Sequence, residues 1–186
     1  MLNKLNHRAL FLDRDGVINQ KLEGDYVKEW NEFKFCVNAL EAIAELSKAY
    51  DKIFIVTNQR GVGKGLMSEA DLIEIHINMI SEIKNASGRI DKIYYCTDVH
   101  DSSPNRKPNI GMALQAKQEF PEIEFSTSFM VGDSISDMEF ARKLGMRRIF
   151  IHQKNDTDIK DQETNFDLKF NSLFAFAEKV KNGILD

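Results

Sequence analysis

Two aspartates separated by one residue follow a short apolar run near the start of the chain. Residues 8–11 read Arg-Ala-Leu-Phe, and residues 12–16 read Leu-Asp-Arg-Asp-Gly. Carboxylates on alternate residues at the end of a strand point into the crevice where open α/β sheets bind ligands, and Gly16 lets the backbone turn sharply. Asp13 and Asp15 are therefore candidate reactive groups, although calcium loops and surface turns use the same residue types.

Three later segments also place polar residues at a strand end or at a helix start. Residues 53–59 read Ile-Phe-Ile-Val-Thr-Asn-Gln, and residues 129–137 read Phe-Met-Val-Gly-Asp-Ser-Ile-Ser-Asp. Residues 106–109, Arg-Lys-Pro-Asn, open a helical pattern, and Pro108 suits a first helical turn because it needs no N–H partner. A parallel sheet would gather all four segments at one edge.

In this order and spacing, the four segments resemble the four motifs of the haloacid dehalogenase (HAD) superfamily of phosphatases. The resemblance covers roughly residues 9–151. The strings Phe-Leu-Asp-Arg-Asp-Gly-Val-Ile-Asn, Val-Thr-Asn-Gln-x-Gly-Val and Arg-Lys-Pro are similar to one branch, which contains the D-glycero-D-manno-heptose-1,7-bisphosphate 7-phosphatases and the histidinol-phosphate phosphatases.

The resemblance implies a catalytic role for four residues. Asp13 is expected to attack phosphorus and to form an aspartyl-phosphate, and Asp15 to protonate the leaving group and then deprotonate the hydrolytic water. Thr57 matches the residue whose hydroxyl holds the phosphoryl oxygens, and Lys107 matches the cation that neutralises them.

Two carboxylates beside a phosphate dianion require a hard divalent cation, and the resemblance implies Mg²⁺. The expected metal site uses Asp13, the Asp15 backbone carbonyl and Asp133. Asp137 follows one helical turn after Asp133, where it could orient the metal shell or could serve as a surface or capping residue.

Further residues on the same motifs and loops are candidate substrate contacts, and Arg106 could offer a second phosphate its fork of donors. These candidates are Arg14, Tyr26, Asn58, Gln59, Arg60, Arg106 and Ser134. Lys64 lies in the sequence Gly-Val-Gly-Lys-Gly, which does not match a P-loop because residue 58 is Asn and residue 65 is Gly. For Arg60 and Lys64, an anion contact and a solvated charged loop are both open interpretations.

The resembled branch usually carries a zinc loop with four Cys and His ligands before its Arg-Lys-Pro string. Here only Cys96 remains, because Asp98 stands at the histidine position and Ser103 and Asn105 stand at the second cysteine pair. Cys96 and His100 are too few ligands for a closed zinc site, so we expect that no zinc is bound.

Strand and helix signals alternate along the chain, which predicts an α/β fold with a doubly wound, mainly parallel Rossmann-like sheet flanked by helices. The strands are predicted at residues 8–13, 52–57, 92–96, 128–131 and 147–151. Helices are predicted near residues 39–46, 72–83 with Ser68 as N-cap, 110–120, 135–144 ending at Gly145, and 172–180; residues 155–165 are predicted to form a surface loop.

The chain of 186 residues is predicted to be a single HAD-like phosphatase domain, residues 1–186, with no large cap domain. The loops 20–26, 59–65 and 97–106 would then determine specificity. A net charge of −4, from 25 basic and 29 acidic residues, gives no overall attraction to nucleic acid or membranes. We expect a cytoplasmic, monomeric enzyme with a small phosphorylated substrate and with two cysteines that form no disulfide framework.

The expected function is Mg²⁺-dependent removal of the 7-phosphate from a heptose 1,7-bisphosphate. Histidinol phosphate is the alternative substrate, and a polynucleotide is disfavoured because no basic stripe or aromatic platform is visible. A phospho-accepting receiver domain and an inactive binding module are alternatives from other classes. A receiver would leave Asp15 without a role, and an inactive module would not need Asp13, Thr57 and Lys107. We assign no base role to His7, His76, His100 or His152, and His76 is expected to be structural.

Overall fold

The computed structural model describes residues 8–152 and 165–183 and shows one six-stranded parallel sheet in the order β3-β2-β1-β4-β5-β6. The five predicted strands are confirmed to within one or two residues. The sixth, β6, was missed by the sequence analysis and pairs with β5 at one edge. The strands are β1 (Ala9–Leu12), β2 (Lys52–Asn58), β3 (Lys92–Cys96), β4 (Phe129–Gly132), β5 (Arg147–Ile151) and β6 (Leu168–Phe170).

The central strands are continuous apolar runs because both of their faces are covered. Leu10 and Leu12 of β1 belong to the apolar core on one face of the sheet, whereas Ala9 and Phe11 belong to the core on the other face. Successive side chains of a strand point to opposite faces, so burial of both faces requires an apolar residue at every position. The doubly wound fold class is therefore confirmed.

Within the described part of the chain, three of the longer helices cover one face of the sheet and two cover the other. The longer helices are α1 (Ala39–Ala49), α3 (Glu69–Asn85), α4 (Gly111–Glu119), α5 (Ile135–Leu144) and α6 (Leu173–Lys181). Residues of α1, α3 and α6 join the first core, and residues of α4 and α5 join the second. Ser68 caps α3 through a capping box with Asp71, and α5 ends at Gly145 in the left-handed conformation, as predicted.

Two local predictions were wrong. A short helix, α2 (Arg60–Gly63), lies within the predicted loop 59–65. The helix predicted near residues 110–120 is confirmed as α4 (Gly111–Glu119), but Pro108 does not lie in its first turn, and the Lys107–Pro108 peptide bond that precedes it is cis. The predicted loop 155–165 lies almost entirely outside the described residues.

No large cap covers the carboxyl edge of the sheet within residues 8–152 and 165–183, as predicted. The connection from β1 to α1 contains only a short 3-10 turn (Trp30–Glu32), and the connection from β2 to β3 contains only α2 and α3. None of the helices in this described part of the chain is both long enough and apolar enough to cross a membrane.

Candidate active site

A crevice opens at the carboxyl ends of β1 and β4, the neighbouring central strands at which the chain switches sides of the sheet. Such switch points are where open α/β sheets bind ligands. A cavity of about 270 Å³ lies there. It is lined by every predicted site residue except Gln59, together with Lys21, Leu22, Asp25, Val27, Ser136 and Asp137.

A buried lysine connects two carboxylates at the floor of the crevice. We define the floor by four residues, Asp13, Lys107, Asp133 and Asp137. Lys107 Nζ donates to Asp13 Oδ1 at 2.9 Å and to Asp137 Oδ1 at 2.5 Å. Burial raises the pKa of Asp13 to about 7, although the positive charge of Lys107 lowers it. The negative charges of Asp137 and Asp133 raise it further. Although burial disfavours its ammonium, the carboxylates of Asp13 and Asp137 raise the pKa of Lys107.

Asp137 has a structural role that the sequence left open. Its carboxylate accepts from the backbone N–H and the hydroxyl of Ser134 in the capping box of α5, and its side chain is fully buried. Because it also pairs with Lys107, Asp137 is a helix cap that fixes the lysine and is not a surface residue.

The second aspartate of the first motif is held by three donors. Asp15 Oδ1 accepts from Arg14 Nη2 and Asn19 Nδ2, and Asp15 Oδ2 accepts from Gln59 Nε2, each at 2.9 Å. Although burial opposes the charge, the Arg14 guanidinium and these hydrogen bonds lower the pKa of Asp15. With these three donors, Asp15 is a fixed carboxylate.

Two predicted substrate contacts lie beneath this carboxylate. Arg14 is 1% exposed, and its guanidinium lies between Asp15 and His76, with 3.4 Å from Nη1 to His76 Nε2. Burial, followed by the charge of Arg14, lowers the pKa of His76 to about 3, so the ring is neutral. Gln59 is 2% exposed and donates to Thr57 Oγ1 as well as to Asp15. Arg14 and Gln59 thus position Asp15 and Thr57.

Asn58 joins two motifs through their backbones. Its Nδ2 donates to the Lys107 carbonyl at 3.1 Å, and its Oδ1 accepts from the Lys107 N–H at 3.0 Å. The side chain still lines the cavity. These paired hydrogen bonds hold the Lys107 backbone against the end of β2.

The residues at the floor also fit a divalent cation. Carboxylate oxygens of Asp13, Asp133 and Asp137 lie within 4.8 Å of one another. Asp133 Oδ1 is buried and has no hydrogen-bond partner among the described residues, and Asp133 Oδ2 accepts only from Lys21 Nζ, at 2.8 Å. Because Asp137 is already engaged by Lys107 and Ser134, Asp13 and Asp133 are the carboxylates that could hold Mg²⁺.

Gly16 explains the close approach of the two motifs that carry these carboxylates. Its φ is +88°, and a Cβ added at this position would lie 2.2 Å from Asp133 Oδ2. The glycine of the Asp-Arg-Asp-Gly string is therefore required both by its conformation and by the nearness of Asp133.

Charged side chains on loops surround the mouth of the cavity. Arg60 Nη2 and Arg106 Nε donate to the same oxygen, Asp101 Oδ1, at 2.7 and 3.0 Å. Lys64 Nζ donates to the Tyr26 hydroxyl at 3.0 Å and lies 5.2 Å from the centre of its ring. Arg60 and Lys64 thus each contact another side chain of the mouth. Arg60 lines the cavity, and Lys64 does not.

The sequence analysis missed Lys21 and Asp101. Both are exposed charged residues outside the four motifs, and the ion pairs of Lys21 with Asp133 and of Asp101 with Arg60 form only in the tertiary fold. The one available signal was their position, because Lys21 lies in the predicted specificity loop 20–26 and Asp101 in the loop 97–106.

Comparison with known proteins agrees with this geometry. A family model described as polynucleotide kinase 3 phosphatase matches residues 9–180. A D-glycero-alpha-D-manno-heptose-1,7-bisphosphate 7-phosphatase of Mycobacterium bovis is 40% identical over 139 residues, which are 73% of this chain and 72% of the relative. A D-glycero-beta-D-manno-heptose-1,7-bisphosphate 7-phosphatase of Photorhabdus laumondii is 33% identical over 183 residues, which are 93% and 95% of the two chains.

A solved structure resembles the whole described fold. The D,D-heptose 1,7-bisphosphate phosphatase of B. bronchiseptica, crystallised with magnesium and phosphate, superposes with a TM-score of 0.82 at 28% identity and covers 95% of this chain and 99% of its own. The motifs, the sheet order and these relatives agree, and the chain therefore belongs to the haloacid dehalogenase superfamily of phosphatases, in the branch of the heptose-bisphosphate phosphatases.

Proposed function

We propose that this protein is a Mg²⁺-dependent phosphatase that removes the 7-phosphate of a D-glycero-D-manno-heptose 1,7-bisphosphate. The observation that carries the proposal is the floor of the crevice, where the buried Asp13 carboxylate lies between Lys107 and Asp133. A nucleophile, a cation and a metal ligand thus share one cavity with the acid–base candidate Asp15.

The chain's own residues account for the two chemical steps. A carboxylate oxygen of Asp13 attacks phosphorus, and the bond from phosphorus to the sugar oxygen breaks while that oxygen takes a proton from Asp15. Asp15 then removes a proton from water, which attacks the aspartyl-phosphate and releases phosphate. Thr57 and Lys107 face the phosphoryl oxygens during both steps.

Asp15 needs a proton to act as an acid, and the bound substrate provides the reason to acquire one. Its three donors favour the ionised carboxylate. A phosphate dianion beside it disfavours a second negative charge and raises the pKa of the carboxyl. We infer that Asp15 takes up its proton as the substrate binds.

Asp13 and Asp133, with the Asp15 backbone carbonyl, would hold the cation. When bound, Mg²⁺ neutralises the carboxylates and the phosphoryl oxygens that meet at the floor. Asp13 needs such a cation because its pKa is raised to about 7, so that its carboxylate is partly protonated at neutral pH. The structural relative from B. bronchiseptica, which is complexed with magnesium and phosphate, supports the same ion here.

The substrate assignment rests on the names of the relatives and on the charge of the mouth. Relatives at 40% and 33% identity are heptose-1,7-bisphosphate 7-phosphatases. Arg60 and Arg106 bring two guanidinium groups to the cavity, and guanidinium forks suit a second phosphate. Histidinol phosphate, the alternative, carries a cationic amine in place of that phosphate, which these arginines would repel.

The description of the matching family model, polynucleotide kinase 3 phosphatase, favours a polynucleotide substrate. The net charge of −4 and a cavity of about 270 Å³ favour a small substrate instead. We also propose that the enzyme is a cytoplasmic monomer.

We also propose that the loop 97–106 folds without zinc. The Ser103 hydroxyl donates to Asp98 Oδ2 at 2.5 Å, and Cys96 Sγ lies 3.8 Å from that oxygen and 3.7 Å from Ser103 Oγ. A protein hydrogen bond thus joins the positions at which the resembled branch has zinc ligands. One equivalent of zinc after dialysis would contradict the proposal.

The deciding experiment is steady-state phosphate release with Mg²⁺ from both anomers of the heptose 1,7-bisphosphate, from histidinol phosphate and from simple sugar phosphates. Asp13→Asn is the blank. We expect one bisphosphate anomer to exceed the monophosphates in kcat/KM by about a hundredfold or more, which corresponds to roughly 2.7 kcal/mol. Equal rates for all substrates, or a preference for histidinol phosphate, would contradict the substrate assignment.

A further inference from the structure

Two arginines at the mouth of the cavity share one aspartate oxygen. Arg60 lies at the start of α2, Asp101 and Arg106 lie in the loop between β3 and α4, and we call these three residues the rim cluster. Asp101 Oδ1 is 2.7 Å from Arg60 Nη2 and 3.0 Å from Arg106 Nε. Two cations thus converge on a single carboxylate and leave the cluster with a positive charge.

The three side chains differ in their exposure. The Arg106 side chain is 12% exposed and that of Arg60 is 31% exposed, whereas that of Asp101 is 84% exposed. Both arginines line the cavity together with Asp13 and Lys107, and Asp101 is not among the lining residues. The carboxylate therefore neutralises the arginines from the solvent side while it stays hydrated.

The backbone on which Asp101 sits is held in place. Asn109 Nδ2 donates to the Asp101 carbonyl at 2.9 Å and to the Ser103 carbonyl at 2.8 Å. The contact between Asp101 and the arginines can therefore be broken by rotation of one exposed side chain, with no movement of the loop.

Release of Asp101 costs little, and a phosphate would replace it well. An exposed ion pair contributes little because water solvates the separated charges almost as well. A phosphate dianion offers three acceptor oxygens to the two guanidinium groups, where Asp101 offers them one. In addition, Arg60 Nε is buried without a hydrogen-bond partner among residues 8–152 and 165–183, so a donor of the pair is unused.

We propose that Asp101 is a specificity-determining residue that occupies the anion-binding arginine pair of the rim cluster and gives it up to the second anionic group of a bisphosphate. A monophosphate leaves Asp101 in place and gains nothing from the arginines. Asp101 thereby competes with the second phosphate, so it raises KM for bisphosphates and leaves the chemical step unchanged. The inference rests on the proposed function for the identity of the substrate.

Asp101→Asn tests the inference, because asparagine keeps the shape and removes the charge. KM for the heptose 1,7-bisphosphate should fall about two- to fivefold, with kcat within about twofold of the parent, and KM for heptose 7-phosphate should not change. Asp167→Asn is the matched control, since it also removes an aspartate that pairs with an arginine, Arg148, away from the crevice. An unchanged or higher KM for the bisphosphate in Asp101→Asn would overturn the inference.

The effect must pass through the arginines. In an Arg60→Gln background, Asp101→Asn should lower KM less than it does in the parent. The difference between these two changes in KM measures the coupling between Arg60 and Asp101. An undiminished effect in that background would also overturn the inference.

A second readout separates this inference from the proposed substrate. Hydrolysis of p-nitrophenyl phosphate is measured with fructose 1,6-bisphosphate or fructose 6-phosphate as the inhibitor. Asp101→Asn should strengthen inhibition by the bisphosphate alone. If the variant shows this stronger inhibition but the enzyme does not turn over heptose 1,7-bisphosphate, the role of Asp101 stands and the proposed substrate is rejected. If the bisphosphate inhibits parent and variant equally, the role of Asp101 is rejected.

Discussion

The floor and the mouth of the crevice are built from the same kinds of charged groups under opposite conditions. At the floor, Lys107 is 2% exposed and pairs with Asp13 and Asp137, which are 12% and 0% exposed. At the mouth, Asp101 is 84% exposed and holds its arginines in water. Low dielectric strengthens the first set of pairs and penalises any member left alone, whereas solvent weakens the second set.

This difference separates chemistry from recognition. Asp13 and Asp133 directly follow the ends of β1 and β4, and Asp137 lies in the capped first turn of α5. Lys107 lies in the loop before α4, where Asn58 holds its backbone against the end of β2. The mouth residues lie on α2 and on loops, where substitution leaves the core untouched. Substitutions at the floor should therefore affect catalysis and stability strongly, and those at the mouth should change affinity slightly.

Removal of the proposed nucleophile should have the largest effect. Asp13→Asn replaces the carboxylate that we propose attacks phosphorus with an amide of the same shape, and we expect phosphate release to fall by about 10³-fold or more. The measurement is single-turnover phosphate release with Mg²⁺, together with trapping of the phosphoenzyme in the parent. Residual activity above a tenth of the parent would show that Asp13 is not the nucleophile.

Removal of the buried cation should damage both activity and stability. Lys107→Met leaves Asp13 and Asp137 without their shared partner, and we expect a loss of about 3–5 kcal/mol in the free energy of unfolding, measured in urea. Lys48→Met is the control, because Lys48 is an exposed lysine paired with Glu45, and it should leave the free energy nearly unchanged. Equal losses in the two variants would remove the contrast between buried and exposed pairs.

The binding of Mg²⁺ should depend on pH in a direction set by Asp13. Its pKa is raised to about 7, so below pH 7 a proton occupies the carboxylate and must leave when the ion binds. The affinity for Mg²⁺ should fall by about tenfold for each pH unit below 7 and level off above it. Calorimetry from pH 6 to 8, in buffers of different ionisation enthalpy, measures both the affinity and the proton release. A constant affinity over this range would contradict the raised pKa.

Loss of the exposed lysine at the edge of the floor should have the smallest effect. Lys21 Nζ lies 2.8 Å from Asp133 Oδ2, so its ammonium competes with a metal ion for that oxygen. Lys21→Met should therefore tighten Mg²⁺ binding about two- to fivefold. Lys34→Met, an exposed lysine on the same connection between β1 and α1, should leave the affinity unchanged. Weaker binding in Lys21→Met would mean that the lysine assists the metal site.

Most of the sheet could be predicted because its strands are apolar on both faces. Residues 53–56 show this pattern, and the observed strand extends it by one residue beyond the predicted end. β6 could not be predicted, since Leu168–Phe170 has only two apolar residues around an exposed lysine at the edge of the sheet. α2 escaped prediction because two of its four residues are glycines, which disfavour a helix.

Most of the polar groups that line the cavity could be predicted because they lie in the four motifs, whereas Lys21 and Asp25 lie outside them. The contacts between those groups could not be predicted. Nothing in the local sequence indicates that Arg14 points inward to His76, or that Asn58 pairs with the backbone of Lys107. Such contacts join residues about 50 or more positions apart, and only the assembled fold brings them together.

The central position of β1 has a consequence for the synthesis of the protein. β1 pairs with β2 on one side and with β4 on the other, and the Ala9 N–H donates to the Ser128 hydroxyl at 3.1 Å. β1 is therefore completed by a strand that is synthesised after β2 and β3, and a nascent chain that ends before β4 still lacks Asp133 and Asp137 of the floor. The appearance of activity during translation would therefore report that β4 has joined the sheet beside β1.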